Sequence, residues 1–228
     1  LTQEEAEKWE IEEEFLKPVI KSPRECKNIL IDPDDLKYRV FMCHKDKDDL
    51  KGTNALKYIE WGERQEKEIK QGKNKGKKIK GFHNISSVKN RKRWYDLGNW
   101  KPSTGIIQCG FGDFYKFYLN PDEILADKRL YLVYGDENDV KFMNSTIYPL
   151  FVEIGARVGL GDGLLDLTVT EFQNTNFIKI EDELPLIERP IKNIFEECGI
   201  NPESDTPISE QNPQPFPDRA ELDNIVFD

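Results

Sequence analysis

The charge of this chain is strongly segregated, which limits where each part of it can lie in a fold. Residues 64–93 contain twelve Lys or Arg and two Glu, a net charge of +10. The whole chain of 228 residues carries −10, so the other 198 residues together carry −20. A segment this basic belongs at the surface, and the usual partner of such a segment is a polyanion, above all nucleic acid.

Glycines interrupt the basic stretch at positions 72, 76 and 81. Glycine disfavours a continuous helix, so we predict that the lysines between these positions lie on a flexible loop and contact DNA phosphates. These lysines are Lys73, Lys75, Lys77, Lys78 and Lys80.

The basic stretch ends in the run RKRWY, where arginine forks adjoin aromatic rings. We predict that Arg91 and Arg93, with Lys92, approach DNA base edges or phosphates. Trp94 and Tyr95 complete this candidate site, although the burial habits of Trp and Tyr favour core anchors over platforms for base stacking. Two further candidates for DNA contact, Lys116 and Arg157, lie later in the chain.

Composition and the N-terminal residues bear on location. No run approaches the roughly 18 consecutive apolar residues of a membrane span. Residues 1–15 hold seven Glu and one Lys, the opposite of a signal peptide. We therefore predict a cytoplasmic protein without a membrane partner. Because the sequence does not begin with Met and stops within an apolar pattern, we also expect a piece of a longer parent protein.

The sequence predicts no catalytic, cofactor or metal residues in this piece. The four Cys and two His do not fall at metal-ligand spacing. The glycines of residues 158–169 follow a predicted helix and precede a strand, the reverse of a nucleotide-binding loop. The carboxylates considered for a metal-dependent nuclease site are Asp113, Asp162, Asp166 and Glu171. Their spacing does not force any two of them into one cleft, so nuclease activity stays only an open alternative.

Hydrophobic patterns predict an α+β fold, a small mixed or antiparallel sheet flanked by helices near residues 53–70 and 145–158. Predicted strands cover residues 38–43, 105–109, 114–119, 130–134, 164–169 and 177–180, and a further helix covers residues 187–198. The second flanking helix rests on an apolar stripe at positions 147, 150, 151, 154 and 158. We expect an acidic linker or short helix over residues 1–15, a main domain over 16–180, and an acidic, Pro-rich extension over 181–228.

Five segments resemble one known family. They are LKPVIKSPRE at 16–25, RKRWYDL at 91–97, DKRLY at 127–131, NSTIYPLFVEIGARVGLGDGLLDLTV at 144–169, and DRAELDNIVFD at 218–228. In order and wording they resemble the C-terminal target-recognition region of TaqI-like adenine-specific DNA methyltransferases, a group that includes single-chain restriction-modification enzymes.

The resemblance implies a domain that recognises a short sequence in duplex DNA. An N-terminal methyltransferase domain of the parent would bind S-adenosylmethionine and methylate the flipped base through an Asn/Asp-Pro-Pro-Tyr/Phe tetrapeptide. That tetrapeptide does not occur in this sequence. The alternative is a scaffold domain whose basic segment docks other domains of the parent.

Overall fold

The computed structural model describes residues 1–70, 75–158 and 164–228. They form the α+β fold expected from the sequence, with helices and small mixed or antiparallel sheets. The chain divides into two compact units: unit 1 comprises residues 1–19 and 37–101, and unit 2 comprises residues 20–36 and 102–228.

This division differs from the boundaries predicted at residues 15/16 and 180/181, and burial gives the reason. Ile11 and Phe15, in the segment expected to be a linker or short helix, are buried in the core of unit 1. Leu184 and Leu222, in the expected C-terminal extension, are buried in the core of unit 2. Both acidic ends of the chain therefore belong to folded units.

Unit 1 combines two helices with two pairs of strands. Its elements are α1 (Gln3–Trp9), β1 (Leu16–Ile20, whose last residue begins unit 2), β2 (Tyr38–Phe41), α2 (Asn54–Arg64), β3 (Glu66–Glu68) and β4 (Lys78–Lys80). β1 pairs with β2 and β3 pairs with β4, both antiparallel.

Helix α2 is capped from two directions. The Thr53 hydroxyl accepts the Leu56 N–H at 3.1 Å, as the sequence predicted. The Glu12 carboxylate accepts the N–H groups of Asn54 and Ala55 at 2.8 and 3.0 Å. Because the first N–H groups of a helix have no partner inside it, Glu12 ties the acidic N-terminal segment to α2.

Unit 2 is built on a central antiparallel sheet with helices around it. Its elements are β5 (Gly105–Gln108), β6 (Gly110–Phe111), β7 (Phe117–Leu119), β8 (Leu125–Ala126), β9 (Leu130–Val133), α3 (Glu137–Met143), α4 (Ile147–Gly155), β10 (Arg157–Val158), β11 (Leu165–Asp166), α5 (Val169–Asn174), α6 (Ile194–Cys198) and α7 (Pro217–Phe227). The central sheet has the order β7-β5-β9, and a second sheet has the order β10-β11-β6.

Helix α4 is shorter than predicted and turned differently. Pro149 lies in its first turn, as expected. Only part of the predicted apolar stripe faces the core: Ile147 and Phe151 pack against it, whereas Leu150 is 51% exposed and Ile154 is 73% exposed. The buried residues include Tyr148 and Val152. The reason is aromatic packing, because the large Tyr148 ring meets the rings of buried phenylalanines in an edge-on arrangement.

Three other predicted elements are corrected. The helix predicted near residues 53–70 ends at Arg64, and Glu66–Glu68 form the strand β3 instead. Residues 177–180 form no strand, and the Asn138 amide donates to the Ile180 and Asp182 carbonyls at 3.0 and 2.7 Å. The helix predicted over residues 187–198 begins only at Ile194, because Pro190 disrupts a helix interior. Within the described ranges, no helix has both the length and the apolarity to cross a bilayer.

Candidate nucleic-acid interface

Part of the predicted lysine loop is a β-hairpin. The register of β3 and β4 is Glu66–Lys80, Lys67–Ile79 and Glu68–Lys78. The pairing extends by one position, since the Ile69 N–H donates to the Lys77 carbonyl at 2.9 Å. The prediction of a flexible loop is therefore wrong for residues 78–80, where alternating side chains and cross-strand pairs favour a strand. Lys73 lies outside the described residues.

The two faces of this hairpin differ in charge. Successive side chains of a strand point to opposite faces, so the register divides them into two sets. The neutral face carries Glu66, Glu68, Lys78 and Lys80. The basic face carries Lys67, Ile69, Lys77 and Ile79. Acidic and basic side chains balance on the first face, whereas the second has two lysines and no acid.

The availability of the lysines follows this division. On the neutral face, Lys78 Nζ lies 3.7 Å from the Glu66 carboxylate, and Lys80 is directly opposite Glu66. Lys67 and Lys77 on the basic face, and Lys75 in the turn, are exposed and make no ion pair within the described part of the chain. Sequence reasoning missed Lys67, although the alternation in residues 66–70, EKEIK, was a signal for it.

A close turn joins the hairpin to the rest of unit 1. Gly81 has φ +81°, and a Cβ at this position would lie 2.8 Å from the Glu63 carbonyl oxygen. Only glycine suits a site that is both left-handed and this close to backbone. Phe82 follows and packs edge-on against Trp61 and Trp94, with ring centroids 5.8 and 6.0 Å apart. The hairpin is therefore joined through Gly81 to a cluster of aromatic side chains.

Trp94 and Tyr95 belong to this aromatic cluster. Tyr95 is buried, and its hydroxyl donates to the Lys45 carbonyl at 3.0 Å. Trp94 is half-buried, its indole N–H donates to Glu63 at 3.1 Å, and its ring leaves no room for a side chain at Gly62 of α2. Both residues anchor the segment that carries the arginines, as their residue type suggested.

Arg93 is held in an ion-pair network. Its Nη1 donates to Asp46 at 2.9 Å, and its Nε and Nη2 donate to Asp96 at 3.0 and 2.8 Å. These hydrogen bonds raise the pKa of Arg93. Burial acts to raise the pKa of Asp96, but hydrogen bonds from Arg93, the Gly98 N–H and His44 outweigh it and lower that pKa to about 2. Arg93 would have to leave two carboxylates before its fork could contact a base.

Arg91 and Lys92 are more available than Arg93. Both are exposed. Arg91 Nη1 donates to the Asp96 carbonyl at 2.8 Å, and the other N–H groups of its guanidinium have no acceptor within the described ranges. Lys92 Nζ lies 3.6 Å from Asp46, a long contact between exposed groups. One terminal nitrogen of Arg91 is thus held by the backbone, and most of the N–H donors of its guanidinium remain available to a ligand.

The two candidates in unit 2 are already engaged. Lys116 is half-buried, donates to the Cys26 carbonyl at 3.4 Å and lies over the Tyr118 ring at 5.9 Å. Burial lowers the pKa of Lys116. Arg157 forms an ion pair with Glu171. Both side chains therefore have structural partners within unit 2.

Two of the segments on which the resemblance rests, NST and DRAELD, take part in a buried polar network in unit 2. The Asn144 amide bonds to the backbone of Phe117 and Val140. Thr146 donates from N–H and hydroxyl to Asp223 of α7 at 2.7 and 2.6 Å. Arg219 of α7, 2% exposed, donates to the Asn144 carbonyl at 2.9 Å. The segments NST and DRAELD are thus bound to each other, a structural role that their polar sequence alone did not indicate.

Glu197 completes this network. It is 1% exposed and accepts hydrogen bonds from Arg189 and from Arg219. Burial acts to raise its pKa, but the bonds from Arg189, the Lys192 N–H and Arg219 outweigh burial and lower it. A buried carboxylate with two arginine partners stays ionised. Its ion pairs connect α6 to Arg189 and to Arg219 of α7.

The acidic candidates do not converge. Glu171 caps α5 by accepting the Thr168 N–H at 2.7 Å and also binds Arg157. Asp113 is exposed, Asp166 is half-buried in β11, and Asp162 lies outside the described residues. Within residues 1–70, 75–158 and 164–228, no three His, Cys, Asp or Glu side chains are grouped to hold a metal ion.

Comparison with models of known protein families finds no match for this chain, and neither does comparison with curated proteins. The family resemblance carried by the five segments therefore stays a prediction.

Proposed function

We propose that this chain is the target-recognition domain of a larger adenine-specific DNA methyltransferase or restriction-modification protein of the cytoplasm, and that unit 1 makes most of the duplex DNA contacts. The observation that carries this proposal is a group of exposed cations in the hairpin and the adjoining arginine segment of unit 1 that have weak or no acidic partners among the described residues. The members of this group are Lys67, Lys75, Lys77, Arg91 and Lys92.

The basic face of the hairpin suits a DNA backbone. Lys67 and Lys77 are compact charges on flexible stems, which attract phosphates without reading sequence. The absence of an acid on their face removes the repulsion that Glu66 and Glu68 would exert on phosphates approaching the neutral face. We therefore assign phosphate contact to the basic face and the turn.

Arg91 is the better candidate for base recognition. Its Nη1 is anchored on the Asp96 carbonyl, and its remaining donors can form the two parallel hydrogen bonds that guanine accepts in the major groove. Such a contact discriminates against other bases by about 1–3 kcal/mol. Arg93 acts on recognition indirectly, by holding the loop that presents Arg91.

The chemistry of methyl transfer lies outside this chain in the proposal. Binding of S-adenosylmethionine and base flipping would fall to the N-terminal methyltransferase domain of the parent. The resemblance of residues 144–169 and 218–228 to the family supports this division. Within unit 2, Asn144 and Thr146 of the first segment bind Arg219 and Asp223 of the second.

Fluorescence anisotropy with a labelled duplex tests the proposal. Contact of four of these cations with phosphates, with Arg91 assigned to a base, predicts that log K falls against log salt with a slope of about −3.6. The double variant Lys67→Gln/Lys77→Gln should reduce that slope by about 2. The matched control Lys78→Gln/Lys80→Gln removes the same charge from the neutral face and should change the slope less. Binding that is absent or insensitive to salt would contradict the proposal.

The scaffold alternative gives a different result in the same variants. If the hairpin docks another domain of the parent, reversing Lys67 and Lys77 to Glu should abolish association with that domain and leave DNA binding of the whole parent unchanged. If the hairpin binds DNA, the reversal should weaken DNA binding and preserve the association.

A further inference from the structure

A pocket lies beside the exposed arginine of unit 1. Its volume is about 340 Å³, and its lining consists of Arg91, Lys92, Arg93, Asp96, Leu97 and Gly98. This volume is at the small end of ligand sites. Three of the six lining residues are cations and one is an anion, so the pocket suits a negatively charged group.

The apolar part of the pocket lining favours a ligand that has an apolar portion beside its negative charge. Leu97 is 48% exposed, next to the cations. Gly98 has φ +79° and open space where a Cβ would stand. A free phosphate ion would use only the cations. A phosphate joined to deoxyribose would use the cations and also cover the Leu97 side chain, so the lining fits the DNA backbone better than an inorganic anion.

Asp46 competes for two of the three cations. Its carboxylate accepts from Arg93 Nη1 at 2.9 Å and lies 3.6 Å from Lys92 Nζ. Asp46 precedes the short 3-10 helix Lys47–Leu50 in the N-cap position, yet its side chain makes no capping hydrogen bond there. The Asp46 carboxylate therefore interacts with Arg93 and Lys92 and does not cap the 3-10 helix.

The contact with Asp46 can be exchanged for another anion. The Asp46 side chain is 52% exposed and the Lys92 side chain is 78% exposed. Ion pairs between groups this exposed contribute little net stability, because water competes with both partners. Arg93 would keep its two hydrogen bonds to Asp96 when Asp46 leaves. Displacement would thus free Lys92 and one donor of Arg93 without releasing the loop.

We propose that this pocket binds one backbone phosphate of duplex DNA through Lys92 and Arg93, and that Asp46 is a built-in competitor that weakens this subsite. The proposal rests on the proposed function of unit 1 as a DNA-binding unit. It adds a specific residue, Asp46, that lowers the affinity of the site.

The test compares Asp46→Asn with Asp48→Asn. Asp48 lies in the same segment, its side chain is 88% exposed, and its ion pair is with Lys51 rather than with the pocket. Both variants add the same net charge, so long-range attraction changes equally. Asp46→Asn should tighten binding of a labelled duplex by roughly three- to tenfold at low salt and steepen the salt slope by about 0.9 or more. Asp48→Asn should change both by much less.

A second variant links the gain to the pocket. Adding Lys92→Gln to Asp46→Asn should remove most of the gain, because Lys92 is one of the released cations. Near-UV circular dichroism of each variant checks that unit 1 keeps its packing. A titration with inorganic phosphate, followed by NMR, tests whether the pocket binds a free anion.

The outcomes separate the two proposals. If neither the natural chain nor any variant binds duplex DNA, the proposed function fails and this inference fails with it. If the natural chain binds DNA with the expected salt dependence but Asp46→Asn equals Asp48→Asn, only the competitor role is overturned. Tighter binding of inorganic phosphate by Asp46→Asn without a gain for duplex DNA would also overturn it.

Discussion

The two units use their basic residues in opposite ways. Unit 1 has 21 Lys or Arg against 15 Asp or Glu, a net charge of +6, whereas unit 2 has 12 against 28, a net charge of −16. In unit 2, Arg189 and Arg219 bind the buried Glu197. In unit 1, Lys67 and Lys77 protrude from a hairpin face without an acid.

This difference shows that local pairing, more than the number of charges, decides what a cation can do. An arginine whose donors are taken by carboxylates and other acceptors of the protein stabilises a fold, and a lysine without a partner attracts an anion. Arg93 belongs with the arginines of unit 2 in this respect, although it lies in the basic stretch of unit 1. The same distinction between side chains held by structural partners and exposed side chains can be measured as a loss of stability.

The largest effect is expected for Arg219→Ala in unit 2. It leaves Glu197, 1% exposed, without one of its two arginine partners, and it removes the bond from Arg219 to the Asn144 carbonyl. The free energy of unfolding should fall by about 3–5 kcal/mol, as measured by urea denaturation. The control Arg129→Ala removes a mostly exposed arginine paired with Asp127 and should cost about 0–1 kcal/mol. Equal losses would remove the distinction between buried and exposed arginines.

The next effect is expected for Asp96→Asn in unit 1, which weakens the anchor of Arg93. Loss of charge-assisted hydrogen bonds should lower the free energy of unfolding by about 1–3 kcal/mol at neutral pH. The folded-state pKa of Asp96, about 2, is below its unfolded value. Its stabilisation is therefore present above about pH 4 and is lost as pH falls toward 2.

Denaturation at several pH values checks this sign. The difference between the natural chain and Asp96→Asn should shrink between about pH 4 and 2. A difference that stays constant through this range would show that the Asp96 carboxylate does not hold Arg93 in solution. Asp48→Asn, at an exposed position, provides the control.

A smaller effect is expected for Glu12→Ala, which removes the second cap of α2. The cost should be about 0.5–2 kcal/mol by thermal or urea unfolding. Burial acts to raise the pKa of Glu12, but the Asn54 and Ala55 N–H groups outweigh it and lower the pKa. The contribution is therefore present above the ordinary glutamate pKa and is lost as pH falls below it. Glu13→Ala, which removes an exposed glutamate, should change stability by less than about 0.5 kcal/mol.

The smallest effect is expected for Ile154→Ala on α4. Because Ile154 is 73% exposed, the free energy of unfolding should change by less than about 0.5 kcal/mol. Val152→Ala, at a fully buried position of the same helix, should cost roughly 1–3 kcal/mol. A large loss for Ile154→Ala would mean that Ile154 is buried in solution.

Much of the fold could be predicted from local pattern. The start of α2 followed from the cap at Thr53, and the strands near residues 105, 117 and 130 followed from apolar runs between turn residues. The face of α4 did not follow, because both Tyr148 and Ile154 are apolar enough to be buried and only the surrounding aromatic rings select between them. The periodicity of apolar residues identifies a helix, but it does not determine which face of the helix packs against the core.

The candidate site shows the same limit. The sequence identified the basic stretch and the RKRWY segment, since a local excess of charge needs no tertiary information. It did not separate Lys77 from Lys78, because that separation depends on which residues lie opposite them across a hairpin. Nor did it separate Arg91 from Arg93, because Asp46 lies 47 residues away in the chain from the arginine that it binds.

The sequence by itself determined the α+β class, the segregation of charge and the anchoring role of the aromatic residues beside the arginines. These properties depend on composition and on neighbours within a few positions. Tertiary structure alone decided which cations are neutralised, which hairpin face is basic, and that the NST and DRAELD segments bind each other. The physical reason is that an ion pair or a buried hydrogen bond acts over a few ångströms in space, and sequence separation does not report that distance.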